Sequence, residues 1–292
     1  INADHWNIIA EKIAREIITG FDGIIVAHGT DTMGYTSAAL SFALSRSPIP
    51  IILVGSQRST DRPSSDAVLN LIGAVATVTK IPFSGVYVAM HGSTSDSTIA
   101  IHRGTRVRKN HTSRRDAFES IDASPVAFFK DGKVKILNED LVLKGSSRQF
   151  KVSCKFEKAV GLIKFHPSFN HKLIDHLVDS GYRGIVLEGT GLGHLSNDCY
   201  QSIKSAVKKG LLVGMTSQCI WGRVNLTVYD SGRDLLKHGV IPLGDMLSET
   251  ALVKMMWALG NTQSKKKAER LMLENIAGEY LERSPFERRQ KI

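Results

Sequence analysis

The chain of 292 residues is 42% hydrophobic and 23% charged, which is enough apolar material for a packed core and excludes a disordered or collagen-like protein. Lysine and arginine outnumber aspartate and glutamate by 38 to 28, and the resulting charge of +10 permits, without demonstrating, contact with nucleic acid or another acidic surface. The three widely spaced cysteines predict neither a disulfide framework nor a zinc site, and no apolar run approaches the ~18 residues of a membrane span, so we expect a cytoplasmic protein without membrane contact.

The first half of the chain alternates short apolar runs with helical patterns. Uninterrupted apolar strands that alternate with helices indicate a parallel sheet with both faces covered. We therefore predict an N-terminal α/β domain over residues 1–120. Its predicted elements, in chain order, are a strand at 23–27, a helix at 35–44, a strand at 50–54, a helix with Val68, Leu71, Ile72 and Val75 as its apolar residues, and a strand at 85–90.

The pattern changes after residue 120. Lys130-Asp131-Gly132-Lys133 is a hairpin turn signal between two apolar runs, and we interpret residues 121–158 as a linker that contains a β-hairpin. Alternation resumes over residues 159–292, which we predict to be a second α/β domain with a helical tail. The predicted fold class is thus α/β, with two α/β domains that have mainly parallel sheets. The predicted elements of the second domain are strands at 160–163, 184–187 and 211–215, a helix that ends at Gly210, a helix at 248–259 capped by Ser248, and a helix that starts at Lys265.

Polar loops follow the predicted strands of the first domain, at residues 28–34, 55–62 and 91–96. In open α/β sheets ligands bind beyond the carboxyl ends of the strands, where such loops meet. The Thr30 hydroxyl is a weak nucleophile unless a base takes its proton, and the Asp31 carboxylate is suited to hold a substrate ammonium group. In the alternative interpretation Thr30 caps the following helix and Asp31 favours its first turn. The residues alone leave both interpretations open.

Motifs that would assign other chemistry are absent from the sequence. It has no Gly-x-Gly-x-x-Gly fingerprint and no Walker lysine, which disfavours a phosphate cradle, and it lacks the Gly-x-Ser-x-Gly elbow of a serine hydrolase. Its ten histidines include no His-Glu-x-x-His or other metal-ligand spacing, so we predict no metal site.

Residues 102–116 hold most of the local positive charge. Because like charges disfavour the protonated form of a lysine, Lys109, which has arginines on both sides, is a candidate general base. The alternatives are a phosphate-binding strip and an ordinary solvated surface, and the residues alone favour the solvated surface. No aromatic residue lies between Arg103 and Arg115, which argues against stacking of RNA bases there.

The segment Val26-Ala27-His28-Gly29-Thr30-Asp31-Thr32-Met33 resembles the second signature of the asparaginase/glutaminase family, which holds a catalytic Thr-Asp pair. Lys109 falls where the relay lysine of that family is expected. The resemblance implies an asparaginase-like fold, catalytic roles for Thr30, Asp31 and Lys109, substrate binding by Asp31, Ser56 and Gln57, and no cofactor in this chain. Several blocks are also similar to the D subunits of archaeal glutamyl-tRNA(Gln) amidotransferases, a branch of the family: 55–67, 103–118, 215–224, 227–262, and 275–279 with 282–284.

The similarity to that branch implies a glutaminase-type subunit that releases ammonia for the conversion of Glu-tRNA(Gln) to Gln-tRNA(Gln). The implied partners are the E subunit of the amidotransferase, which would carry ATP and magnesium, Glu-tRNA(Gln) through the complex, glutamine as substrate, and a second copy in a homodimer core. We expect Arg106, Arg108, Arg114 and Arg115 to shape the site or the ammonia route rather than to bind tRNA. Two alternatives stay open: a free cytosolic L-asparaginase, and a non-catalytic interaction subunit with a degenerate site.

The first signature of the family, Gly-Gly-Thr-Ile-Ala-Ser, carries the usual attacking threonine and has no counterpart within residues 1–292. The small barrel-like domain of the D subunits has no counterpart either. We therefore expect the sequence to be truncated at its start, and this chain alone to be inactive or nearly so.

Overall fold

The computed structural model describes residues 1–137, 150 and 152–283. The chain divides into two compact units between Cys154 and Lys155. The predicted two-domain α/β fold is confirmed. The division lies close to the end of the segment predicted as a linker, so most of that segment belongs to the first unit.

The first unit begins with alternating helices and strands and continues with strands alone. Its helices and strands, in chain order, are α1 (Ala3–Ile18), β1 (Ile24–Ala27), α2 (Met33–Ala43), β2 (Pro50–Val54), α3 (Ala67–Lys80), β3 (Gly85–His91), β4 (Thr98–Arg103), β5 (Val107–Lys109), β6 (Phe118–Ser120), β7 (Ala127–Lys130) and β8 (Lys133–Ile136).

These strands form one mixed sheet and one ribbon. The sheet has the order β1-β2-β3-β4-β7-β8, in which β1, β2 and β3 are parallel, as the alternation with helices predicts. The later neighbours pair antiparallel, so the expectation of a mainly parallel sheet holds only for this first part. β5 and β6 form a separate two-stranded antiparallel ribbon.

The predicted hairpin is present as β7 and β8, but it does not lie in a linker. β7 pairs antiparallel with β4, and β8 forms the edge of the six-stranded sheet. The linker prediction therefore needs correction over this hairpin. The turn signal at Asp131-Gly132 shows that two runs pair with each other, but it carries no information on the strand they join. Residues 138–149 and 151 of the predicted linker, and 284–292 of the predicted tail, lie outside the described residues.

α3 is a helix, as predicted, but the apolar residues that identify it in the sequence point away from the core. Val68, Leu71, Ile72 and Val75 are 46–67% exposed. Four of the five buried residues are small or polar, and the fifth is a valine: Asn70, Gly73, Ala74, Thr77 and Val78. A Cβ atom on Gly73 would lie 2.8 Å from Cγ1 of Ile99 in β4, so the close approach of helix to sheet excludes larger side chains there.

The second unit contains a four-stranded sheet that is parallel throughout, as predicted, with the last strand in sequence at one edge. Its helices and strands, in chain order, are β9 (Val160–Lys164), α4 (Lys172–Asp179), β10 (Gly184–Gly189), α5 (Tyr200–Lys208), β11 (Leu212–Ser217), α6 (Asp230–Lys237), β12 (Ile241–Pro242), α7 (Ser248–Gly260) and α8 (Lys265–Leu273). The sheet order is β12-β11-β10-β9.

Of two predicted helix ends, one has the predicted conformation and the other differs from the prediction. Gly210, just after α5, has a positive φ of 98°, which is the left-handed conformation predicted for it. Ser248 is the first residue of α7 rather than its cap: the N-cap is Leu247, and no side chain caps that end. Its hydroxyl donates instead to the Glu249 carboxylate at 3.4 Å.

A buried ion pair fastens the segment after α8 onto α7. The Lys254 ammonium lies 2.6 Å from Oε1 of Glu279, and both side chains are completely buried. Glu279 also accepts hydrogen bonds from the backbone N–H groups of Ile276 and Ala277, at 3.1 and 2.7 Å. Burial lowers the pKa of Lys254, and the nearby Glu279 carboxylate opposes this effect.

None of the helices in the described residues combines the length and the apolar character needed to span a bilayer.

Candidate active site

Thr30 and Asp31 lie in the loop that leaves the carboxyl end of β1, and the neighbouring loop packs directly against Thr30. This second loop follows β2 and begins at Gly55. A Cβ atom on Gly55 would collide with the carbonyl oxygen of His28 and would lie 3.3 Å from Cγ2 of Thr30. Glycine is therefore required there, and its absence of a side chain brings the start of the second loop against Thr30.

Lys109 reaches Thr30 and Asp31 from the ribbon of β5 and β6. Its Nζ donates hydrogen bonds to Oγ1 of Thr30 at 2.9 Å and to Oδ1 of Asp31 at 2.7 Å. The ribbon runs close to the start of α2, since a Cβ atom on Gly34 would lie 3.3 Å from the carbonyl oxygen of Val107. The predicted meeting of a hydroxyl, a carboxylate and an amine is thus observed, while their catalytic roles stay a prediction.

The alternative interpretation of Thr30 and Asp31 as helix-capping residues does not agree with the structure. α2 begins at Met33, its N-cap is Thr32, and no side chain makes a capping hydrogen bond there. The first turn contains no acidic residue. The two side chains instead face the ammonium group of Lys109.

Lys109 and Asp31 differ in burial in a way that suits different tasks. The Lys109 side chain is only 15% exposed, whereas the Asp31 side chain is 91% exposed. The hydrogen bond and the positive charge of Lys109 lower the pKa of Asp31, so this carboxylate stays ionised in contact with solvent. A solvent-facing anion can receive a cationic group of a ligand, while the largely buried amine can exchange a proton with the Thr30 hydroxyl.

Ser56 and Gln57 lie in the second loop, and both are half-buried. The backbone N–H of Gln57 donates to Oδ2 of Asp66 at 3.0 Å, and that of Arg58 donates to Oδ1 at 2.9 Å. In the described part of the chain, the buried Nε2 of Gln57 has no hydrogen-bond partner. The role of Ser56 and Gln57 in substrate binding stays a prediction.

Sequence reasoning missed a set of polar residues behind this loop. Asn70 connects the Asp66 carboxylate to His91, and His91 contacts Asp96. The only signal in the sequence is the spacing of Asp66 and Asn70, which places them one turn apart on a predicted helix. Nothing local in the sequence indicates that His91 would join them.

The arginines of the basic segment contact protein groups. Arg114 donates two hydrogen bonds to the Asp116 carboxylate, at 2.5 and 3.1 Å. Arg115 contacts the Asp96 carboxylate and donates to the carbonyl of Ser64 at 2.6 Å. Arg106 is completely buried, and Arg108 lies opposite Glu119 in the ribbon. The expectation that the arginines shape the site or the ammonia route rather than bind tRNA stays a prediction.

The described residues contain no group of three or more histidine, cysteine, aspartate or glutamate side chains that could hold a metal ion.

The comparison with known families covers both units. The model of the family "Asparaginase, N-terminal" matches residues 1–142, and that of the "Glutaminase/Asparaginase C-terminal domain" matches residues 159–272. Among solved structures, the thermostable L-asparaginase from Thermococcus kodakarensis is 34% identical, with a TM-score of 0.88 over 96% of this chain and 82% of that one. L-asparaginase I from Vibrio cholerae is 27% identical, with a TM-score of 0.85 over the same shares of each chain.

Curated relatives are more similar in sequence. The chain is 52% identical over 279 residues to the D subunit of the glutamyl-tRNA(Gln) amidotransferase of Metallosphaera sedula, which is 95% of this chain and 63% of that protein. It is 54% identical over 276 residues to the protein of the same name from Pyrococcus furiosus, which is 94% of this chain and 63% of that protein. The chain thus spans less than two thirds of the length of these relatives.

Proposed function

Because this chain belongs to the asparaginase/glutaminase family, we propose that it is the amidohydrolase part of a glutamyl-tRNA(Gln) amidotransferase. It hydrolyses the side-chain amide of glutamine, and the released ammonia converts Glu-tRNA(Gln) to Gln-tRNA(Gln) on a partner subunit. The observation that carries the proposal is the contact of Lys109 Nζ with both Thr30 Oγ1 and Asp31 Oδ1.

Each group in this cluster has a role in the proposed reaction. A threonine hydroxyl attacks the carboxamide carbon, ammonia leaves, and the glutamyl group stays on the protein as an ester. Water then attacks the ester carbonyl and releases glutamate. Thr30 orients this water, and Asp31 holds the α-ammonium group of the substrate. Lys109, as the neutral amine, accepts a proton of the water through the Thr30 hydroxyl and returns it to the oxygen of the departing threonine.

The attacking threonine of the first step belongs, in this family, to the first signature. No segment of residues 1–292 resembles that signature. We therefore expect these residues by themselves to turn over little or no glutamine, and the reaction has to be measured in the full-length gene product.

The proposed partner is the E subunit of the amidotransferase, which binds tRNA and activates the glutamate of Glu-tRNA(Gln) with ATP and magnesium. The chain is identical to the D subunits at about half of the aligned positions, and to the two solved L-asparaginases at about a third or fewer. This difference supports the assignment over a free cytosolic L-asparaginase. We further propose a homodimer core and a cytoplasmic location. Arg114 and Arg115 pair with carboxylates of this chain, so we propose that they contribute little to tRNA binding.

The test is ammonia release by the full-length gene product, alone and with its partner subunit, from glutamine and from asparagine. We expect glutamine to be preferred and its hydrolysis to increase when the partner and Glu-tRNA(Gln) are present. A preference for asparagine that the partner does not change would support the free asparaginase. Absence of any amide hydrolysis in the complex would support the non-catalytic interaction subunit.

A further inference from the structure

Asp66 is a completely buried carboxylate at the N-terminal end of α3, and it holds the loop that begins at Gly55. Its two oxygens accept the backbone N–H groups of Gln57 and Arg58, at 3.0 and 2.9 Å. Its Oδ2 also accepts a hydrogen bond from the Asn70 side-chain amide, at 3.0 Å. These amide donors compensate the free-energy cost of burying the anion, because a buried carboxylate is stable only when its oxygens accept hydrogen bonds.

Asn70 extends this contact in two directions, and it too is completely buried. Its Nδ2 donates to the carbonyl of Gly55 at 2.9 Å, so it holds the residue that packs against Thr30. Because Nδ2 is directed to these acceptors, Oδ1 is the acceptor in the second contact, and Nδ1 of His91 donates a hydrogen bond to it at 2.7 Å. The His91 ring is thereby held in one orientation.

Through Asp96, the other side of the His91 ring is linked to the segment that follows Lys109. Nε2 of His91 lies 3.1 Å from Oδ1 of Asp96, and Asp96 also contacts the Arg115 guanidinium. His91 and Arg115 together lower the pKa of the Asp96 carboxyl. Arg115 donates in addition to the carbonyl of Ser64, which returns to the loop after β2. Ser64 has a positive φ of 58°, a conformation that a non-glycine residue keeps only when its surroundings hold it.

From these contacts we propose that Asp66, Asn70 and His91 are positioning residues: they hold Gln57 and Arg58 in place in the loop whose first residue, Gly55, packs against Thr30. The side-chain Nε2 of Gln57 is buried and has no partner in the described residues, so it is a donor left for an oxygen of a bound amino acid. The three residues act through Gln57 and do not touch the substrate. The part that concerns glutamine rests on the proposed function, whereas the positioning of the loop does not.

The first test needs no variant and no activity. In the wild-type full chain, the amide protons of Gln57 and Arg58 should exchange with solvent at least about tenfold more slowly than those of Ser59 and Thr60, after correction for intrinsic rates. Equal exchange at the four positions would overturn the proposal, whatever the enzyme does with glutamine.

The second test compares Asp66→Asn with Asp61→Asn. An asparagine at position 66 has one oxygen, so one of the two backbone N–H groups would face the amide NH2 group instead. Asp61 lies in the same loop, and its side chain is 72% exposed, so it is a matched control. We expect Asp66→Asn alone to accelerate exchange at Gln57 and Arg58 and to raise the KM for glutamine about tenfold in the assembled enzyme, with a smaller change in kcat.

A double variant separates positioning from a general loss of stability. If Asp66 acts through Gln57, the effects of Asp66→Asn and Gln57→Leu on KM should not multiply. His91→Gln, whose amide can donate to Asn70, should keep KM near the wild-type value, whereas His91→Leu should raise it. Independent effects of Asp66→Asn and Gln57→Leu, or a normal KM in His91→Leu, would overturn the role in the reaction. If Asp66→Asn fails to fold, the wild-type exchange and the His91 pair decide the matter.

Discussion

The Nζ atom of Lys109 lies 2.9 Å from the Oγ1 atom of Thr30, although 79 positions separate the two residues in the chain. Thr30 follows β1, an edge strand of the first sheet, and Lys109 ends a short strand of a separate ribbon. The same ammonium group contacts Asp31 at 2.7 Å. An amine that contacts both a hydroxyl and a carboxylate can exchange a proton with the hydroxyl while the carboxylate holds a charged substrate.

The Thr30 hydroxyl is predicted to be essential for amide hydrolysis. Thr30→Val keeps the shape of the side chain and removes only the hydroxyl, so Lys109 loses the group through which it exchanges a proton. We expect kcat for glutamine to fall by about 10³-fold or more in the full-length gene product with its partner. Thr30→Ser should retain a measurable part of the activity. A Thr30→Val enzyme with a tenth or more of wild-type kcat would remove Thr30 from the mechanism.

Removal of Lys109 is predicted to change the ionisation of Asp31. Since the hydrogen bond and charge of Lys109 lower the pKa of Asp31 below 3.8, Lys109→Met should bring its titration back toward that value. In the wild type this interaction stabilises the fold above the ordinary pKa, and the contribution is lost as pH falls through the lowered one. Titration of the carboxyl carbons by NMR measures the change.

The exposed pair of Lys237 and Asp234 is a matched control for this measurement. Lys237 lies 2.8 Å from Asp234 and is the main cause of the lowered pKa of that carboxyl. Lys237→Met should therefore raise the pKa of Asp234 and leave Asp31 unchanged. An unaltered Asp31 titration in Lys109→Met would mean that the contact does not persist in solution.

His102 is predicted to make the protein less stable in acid. It is completely buried in β4 next to Ser120, and burial lowers its pKa from 6.5 to about 4. Between these values the unfolded chain binds a proton that the folded chain does not, so stability is lost as pH falls from 6.5 to about 4. The difference between the two pKa values of His102 corresponds to about 3 kcal/mol in the free energy of unfolding.

Denaturation of the wild type and of His102→Gln, at neutral pH and at about pH 4.5, measures this contribution. The difference between the two pH values should be smaller in His102→Gln. His176→Gln, which removes an exposed imidazole from α4, should keep the wild-type difference. The assignment to His102 would be wrong if both variants kept that difference in full.

The buried pair of Lys254 and Glu279 is predicted to dominate the attachment of the segment after α8. Lys254→Met or Glu279→Gln leaves one buried group without its counter-charge, which costs about 3–5 kcal/mol in buried pairs. The double variant should lose less than the sum, because neither charge is then left alone. Urea denaturation of the second unit measures these differences. Lys237→Ala, which breaks an exposed pair, should cost less than about 1 kcal/mol, and an equally small cost for Lys254→Met would contradict the prediction.

The sequence determined the local elements and the chemical groups of the candidate site. Continuous apolar runs predict β1, β2 and β3, because a strand of a parallel sheet that is covered on both faces has apolar side chains on both. The spacing of turn residues predicts the hairpin of β7 and β8, and the resemblance of residues 26–33 to a family signature singles out Thr30 and Asp31. These features depend on a few consecutive residues.

The tertiary structure alone decided which of these pieces meet. The positions of Val68 and Ile72 in the sequence do not predict that they lie on the exposed face of α3, because the close approach of Gly73 to β4 decides which face is buried. The joining of the hairpin to β4, the contact of Lys109 with Thr30, and the link from Asp66 through Asn70 to His91 all connect distant parts of the chain. Their partners are selected by packing and by the need to pair buried polar groups, which no local periodicity records.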